Sequence, residues 1–162
     1  MGYVQEITKK MTEDDLRYCA ISARLMAETA DVLGFSEERR AEFTVLGYVY
    51  RAITTNAEIR AMLSDYEYLA EIDAIHKCNG ITPIDVDTRA DYNVVYMLCL
   101  IETHVDEFGT LMNVDERIAD TIARYGEGSR EFSRLNKLIN VSISERYTAA
   151  FSKVLCNRLK NK

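Results

Sequence analysis

The stretch Thr12-Glu13-Asp14-Asp15-Leu16-Arg17-Tyr18-Cys19-Ala20-Ile21-Ser22-Ala23-Arg24-Leu25-Met26-Ala27-Glu28-Thr29-Ala30-Asp31-Val32-Leu33-Gly34 decides the fold class. Its apolar side chains at Leu16, Cys19, Ala20, Ala23, Met26, Ala27, Ala30 and Leu33 recur at the three- and four-residue intervals of a single helical face. Thr12 offers the hydroxyl of an N-cap, and Gly34 the flexible residue that stops a helix. The spacing therefore predicts an amphipathic helix of about 21 residues.

The same signals continue outward from it. Ser36, followed by Glu37 and Glu38, starts a second helix with negative charge at the positive end of its dipole, and Phe43, Leu46, Gly47 and Tyr50 share one face. That helix is predicted to run to about Ile53 and to break at Thr54-Thr55-Asn56. Asn56 caps a short helix through Leu63, and Ser64-Asp65-Tyr66-Glu67 has the capping-box form for another ending near His76. Asn79-Gly80 reads as a turn, and Pro83 blocks helix from Ile81 to Asp87. A third long helix fits Thr88 to Phe108, ending at Gly109. Its apolar surface of Tyr92, Val94, Val95, Leu98, Ile101 and Val105 is wide enough for burial on more than one side. Asn113 to Glu116 repeats the capping-box spacing ahead of Ile118 and Ile122, with Gly126 and Gly128 ending the segment. Ser129 opens a helix through Phe132, Leu135 and Leu138, and a last one from about Ser144 to 159 carries Tyr147, Phe151, Val154 and Leu155. The expected fold is all-α, a compact bundle of about seven helices in a single domain over 1–162, with a core over about 12–140 and disorder confined to the two ends.

Composition agrees with that class. A chain of 162 residues that is 48% hydrophobic, with one proline and seven glycines, is large enough for one core and poor in the residues that interrupt helices. A net charge of −6 leaves no basic patch to grip a phosphate backbone, which argues against nucleic acid as a partner. The apolar run from Val94 to Ile101 is too short to cross a bilayer, and the start, Met1 to Glu6, lacks an export signal. The expectation is a cytoplasmic chain with no membrane contact. Cys19, Cys78, Cys99 and Cys156 lie far apart, with no C-x-x-C pair, and read as reduced thiols.

Few residues suit catalysis. His76 and His104 are the only histidines. Asp73 with His76, and Glu102 with Asp106, each share a helical face, but the paired Glu-x-x-His motifs of a carboxylate-bridged dimetal bundle are missing. No nucleophilic triad and no phosphate-cradling glycine loop can be assembled. No catalytic residue, metal or cofactor is expected. Of the ten tyrosines, Tyr48, Tyr50, Tyr66, Tyr68, Tyr92 and Tyr96 lie among apolar residues, the pattern of a core or subunit interface.

The run from Tyr18 to Arg24, the Leu33-Gly34 pair, the Ser36-capped segment and Phe43 to Arg51 together resemble the opening of an HD-type phosphohydrolase domain. Ile75-His76-Lys77-Cys78-Asn79-Gly80, Leu100 to Asp106 and Ile118 to Leu138 are similar to later segments of its HD-GYP branch, which degrades cyclic dinucleotides. The resemblance places Tyr18 where the family has its first metal-binding His, and Tyr50-Arg51 where it has the His-Asp doublet. It implies a fold with a vestigial pocket in which Tyr18 and Tyr50 face one another and Glu102 or Asp106 takes Arg51 as a salt bridge. Water activation needs several imidazole and carboxylate ligands around a metal, and an arginine repels a dication. The implied function is that of a catalytically inactive module acting through a protein partner or as a homodimer. An alternative is a nucleotide sensor or sequestering protein, for a cyclic dinucleotide among others, whose pocket is formed by Tyr18, Tyr50, Arg51, His76, Glu102 and Asp106. A third is a metal-dependent phosphodiesterase with a relocated site of His76, His104, Glu102 and Asp106.

Overall fold

Two long antiparallel helices organise the molecule, α2 (Glu13–Leu33) and α3 (Glu37–Thr55). The computed structural model describes residues 2–77 and 90–160. Thr12 accepts from the Asp15 backbone N–H at 3.1 Å, and Gly34 ends the first helix at φ 75°, a left-handed conformation that glycine adopts without strain. Ser36 accepts from the Arg39 N–H at 3.2 Å and opens the second. The two pack closely because Gly47 has no side chain: a Cβ there would lie 2.7 Å from the Ser22 carbonyl oxygen. Leu25, Met26, Phe43, Leu46 and Tyr50 are completely buried around this contact.

Around that pair stand α1 (Gly2–Lys10), α4 (Ala57–Met62), α5 (Leu69–His76), α6 (Tyr92–His104), α7 (Val114–Tyr125), α8 (Arg130–Ile139) and α9 (Glu145–Lys160). The fold is all-α, with nine helices among the described residues, and one isolated antiparallel bridge, Val105 to Leu111, joins the ends of a loop. Helix α6 is the spine. All eight residues from Met97 to His104 are buried, which gives physical content to its wide apolar surface. Helix α9 lies along α2, where Phe151 and Val154 are buried and Arg158 grips Glu28 through two bonds of 2.7 and 2.6 Å. No helix among the described residues is long and apolar enough to cross a membrane.

Three expectations are corrected. The N-terminal segment, expected to be disordered, forms α1, with Ile7 buried and Thr8 hydrogen-bonded to the Tyr48 hydroxyl at 3.1 Å. The helix expected from Ser64 begins only at Leu69, because Tyr68 turns inward to accept from Arg39 at 2.7 Å while Leu63 to Tyr68 runs through turns. The long helix predicted over Thr88 to Phe108 is shorter at both ends: it starts at Tyr92, where Asp91 accepts from the Asn93 N–H at 3.0 Å, and it stops at His104. There the Asp106 carboxylate accepts from the N–H groups of Phe108 and Thr110, each at 2.9 Å, and reverses the chain. The Asn79-Gly80 turn, the block at Pro83 and the environment of Cys78 lie outside the described residues. Cys19 and Cys99 are buried, and Cys156 is exposed.

Candidate functional site

Residues distant in sequence converge where α2, α3 and α6 meet α7 and α8. Tyr18, Arg51, His76 and Glu102 line a cavity of about 330 Å³, together with Thr54, Thr55, Arg117 and Arg134. Its volume falls at the small end of the range for small-molecule sites.

Gly109 holds one wall in register. At φ 79° it sits against the backbone of α2, where a Cβ would lie 2.7 Å from the Tyr18 nitrogen and 2.8 Å from the Arg17 carbonyl carbon. This close approach draws the loop after α6 onto the start of α2, beside Val105, which also lines the cavity.

Glu102 is the electrostatic centre. It is 9% exposed, on the buried face of α6. The Tyr50 hydroxyl donates to it at 2.5 Å, and Arg134 donates at 3.2 Å to one carboxylate oxygen and at 3.5 Å to the other. Arg134 also donates to the Ile75 carbonyl at 3.0 Å, which ties α5, α6 and α8 together. Burial alone would raise the Glu102 pKa, but Arg134, the Tyr50 hydroxyl and Arg51 outweigh it and hold the carboxyl below its ordinary value. Tyr50 is moved the other way: burial, then the nearby Glu102 and Tyr18, lift its phenol well above the usual range, so it is a neutral donor.

Tyr18 contrasts with Tyr50. It is 1% exposed, yet its hydroxyl has no hydrogen-bond partner. Burial and Glu102 raise its pKa well above the usual value against the pull of Arg51, Arg134 and Arg117, so it keeps its proton. The Arg51 guanidinium stacks over its ring, 4.9 Å from the centroid, and donates through Nε to Asp15 at 3.0 Å. The salt bridge expected from Arg51 to Glu102 or Asp106 is thus made to Asp15 instead. Asp15 lies close by on the first turn of α2, whereas Glu102 is committed to Arg134 and Tyr50.

His76 stands exposed at the end of α5, where burial of the ring on its cavity side and then Arg134 lower its pKa against Glu102 and Asp73. The imidazole is neutral at pH 7. Asp106 does not line the cavity. Buried at 2% exposure, it is spent on the loop N–H groups described above. The relocated metal set is not assembled either, because His104 points elsewhere. Its Nδ1 donates to the Leu100 carbonyl at 2.8 Å, and its ring packs on Phe151 at 4.8 Å. Among the described residues no group of three or more His, Cys, Asp or Glu side chains is placed to hold a metal ion.

Arg117 and Arg134 escape sequence reasoning, because an arginine on an amphipathic helix usually belongs to a solvated face. The available signal was spacing: Arg134 shares a face with Leu138, and Arg117 with Thr121, both of which are buried. Comparison of the chain with models of protein families, with curated proteins and with solved structures gave no match.

Proposed function

We propose that this chain is a binding domain of degenerate HD-like type, which keeps a small-ligand cavity and carries out no metal-dependent hydrolysis. The observation behind the proposal is the convergence of Tyr18, Arg51, His76 and Glu102 on one cavity, with Tyr50 directly beneath Glu102. These are the positions at which the resemblance to HD domains expects a metal site, and two of them carry tyrosine and one arginine. The remaining carboxylate, Glu102, is held by an arginine and a phenol. The charge of Glu102 is offset by Arg134, so little attraction is left for a dication, which the guanidinium of Arg51 repels. The lining offers donors, a stacked tyrosine and a neutral imidazole, the equipment for holding a polar small molecule.

A thermal-shift screen over nucleotides, phosphorylated sugars, organic acids and their neutral counterparts tests the reading. The expected result is a stabilising ligand whose effect disappears in Thr55→Trp, which sets an indole at the exposed wall of the cavity. Hydrolysis of a generic phosphodiester on addition of manganese, iron or zinc, or ligand binding indifferent to Thr55→Trp, would overturn it.

A further inference from the structure

Three guanidinium groups line the cavity, and two of them are matched. Arg51 has Asp15, and Arg134 has both oxygens of Glu102. Arg117 has no carboxylate partner among the described residues. Its Nη1 donates to the Thr121 hydroxyl at 2.9 Å, that hydroxyl donates back to the Arg117 carbonyl at 2.8 Å, and its Nε is buried with no partner. The other acidic groups of the lining do not answer it. Glu107 accepts from the Tyr125 hydroxyl at 2.7 Å and pairs with Arg124 at 3.6 Å, and Glu131 is exposed, where solvent screens its charge.

A second donor in the same lining is also without an acceptor, the Tyr18 hydroxyl. Buried polar groups are nearly always hydrogen-bonded, so two unanswered donors in one cavity, one of them cationic, define the complementary group. It must accept several hydrogen bonds and carry negative charge.

We infer that the cavity recognises an oxyanion, a phosphate or carboxylate group of the ligand, held between the Arg117 guanidinium and the Tyr18 hydroxyl. Arg51 and Arg134 stay with their carboxylates and add a favourable field. Glu102 lines the same cavity and limits the negative charge it accepts, which favours a single oxyanion over a polyphosphate. The inference rests on the cavity being a ligand site at all, as proposed above.

Titration calorimetry with inorganic phosphate, succinate, adenosine monophosphate and adenosine separates the two claims. Binding of phosphate and the monophosphate is the result expected of a phosphate-bearing ligand, and binding of succinate alone that of a carboxylate-bearing one; both support the inference. Arg117→Gln should weaken the anion by about ten- to a hundred-fold, the worth of one charge-assisted hydrogen bond, while the exposed Arg130→Gln leaves it unchanged. Tyr18→Phe should weaken anion binding while leaving the ligand-free protein at least as stable as the parent, a combination that a damaged fold does not produce. Adenosine binding as tightly as its monophosphate, lost in Thr55→Trp but untouched by Arg117→Gln, overturns the oxyanion and leaves the cavity reading standing. Absence of any binding that responds to either substitution overturns both.

Discussion

Removing one oxygen atom from Tyr50 and one from Tyr18 should have opposite consequences, although both side chains are tyrosines, completely buried and adjacent to the same carboxylate. Tyr50→Phe deletes the donor that meets ionised Glu102 at 2.5 Å. A hydrogen bond to a charged group contributes about 1.5–3 kcal/mol, and the carboxylate oxygen left behind retains only Arg134, at 3.5 Å. The expected loss is therefore about 1.5–3 kcal/mol, or about 3–12 °C in melting temperature for a chain of this length. Tyr18→Phe deletes a buried hydroxyl that has no partner, so the burial penalty of that group disappears with it. Its stability should lie between no change and a gain of about 1 kcal/mol. Urea denaturation of the parent and the two variants, fitted with a common slope, gives the comparison directly. Equal losses in the two variants, or a greater loss in Tyr18→Phe, would refute the assignment of the Glu102 bond to Tyr50 and of the unanswered hydroxyl to Tyr18.

The same site predicts a pH dependence and two further substitutions. Glu102 has a folded-state pKa below its unfolded value, so its stabilisation is fully present above about pH 4.3 and is lost as pH falls through the folded value. The gap between the parent and Tyr50→Phe in a denaturant series should accordingly narrow below about pH 4. His76, with its folded pKa depressed, contributes stability present above about pH 6.5 that declines as acid protonates it, and its imidazole resonances should titrate below about 6.5. Gly109→Ala must accept a positive φ and a Cβ against the Arg17–Tyr18 backbone, which should cost at least about 2 kcal/mol in thermal unfolding. Gly128→Ala, where a Cβ meets nothing within 4 Å, should change little.

Capping chemistry made most of the fold legible. Thr12, Ser36, Asn56, Asn113 and Ser129 each accept the backbone bond that their residue type predicts, and Gly34 and Gly126 stop their helices at positive φ. The failures came where tertiary contacts override local signals. Ser64-Asp65-Tyr66-Glu67 has the form of a cap, but Tyr68 is claimed by Arg39 and Glu42 on α3. Asp106 looks like another helical carboxylate until it captures two N–H groups of the loop and ends α6 early. Helix α1 was missed because so short an amphipathic segment owes its helicity to packing, in this case of Ile7 and Thr8 against the body of the molecule.

The site was legible in its position and obscure in its electrostatics. Of the residues that the resemblance to HD domains singled out, Tyr18, Arg51, His76 and Glu102 line one cavity and Tyr50 bonds to Glu102, while Asp106 is spent on the loop after α6. Sequence could not apportion the charges, because whether Arg51 meets Asp15, Glu102 or Asp106 depends on helix rotation and the packing of side chains from five helices. Arg117 and Arg134 show the same limit. Their type and spacing suit a solvated face, and only the packing of α7 and α8 over α6 turns them inward.

Native mass spectrometry of the purified chain, dialysed and then exposed to inorganic phosphate, tests the central claim most directly. The account predicts no stoichiometric transition metal in any charge state, and a phosphate adduct that is retained by the parent and lost from Arg117→Gln. A metal ion that survives dialysis at one or two equivalents, with its loss in His76→Ala, would contradict it and return the site to metal-dependent chemistry.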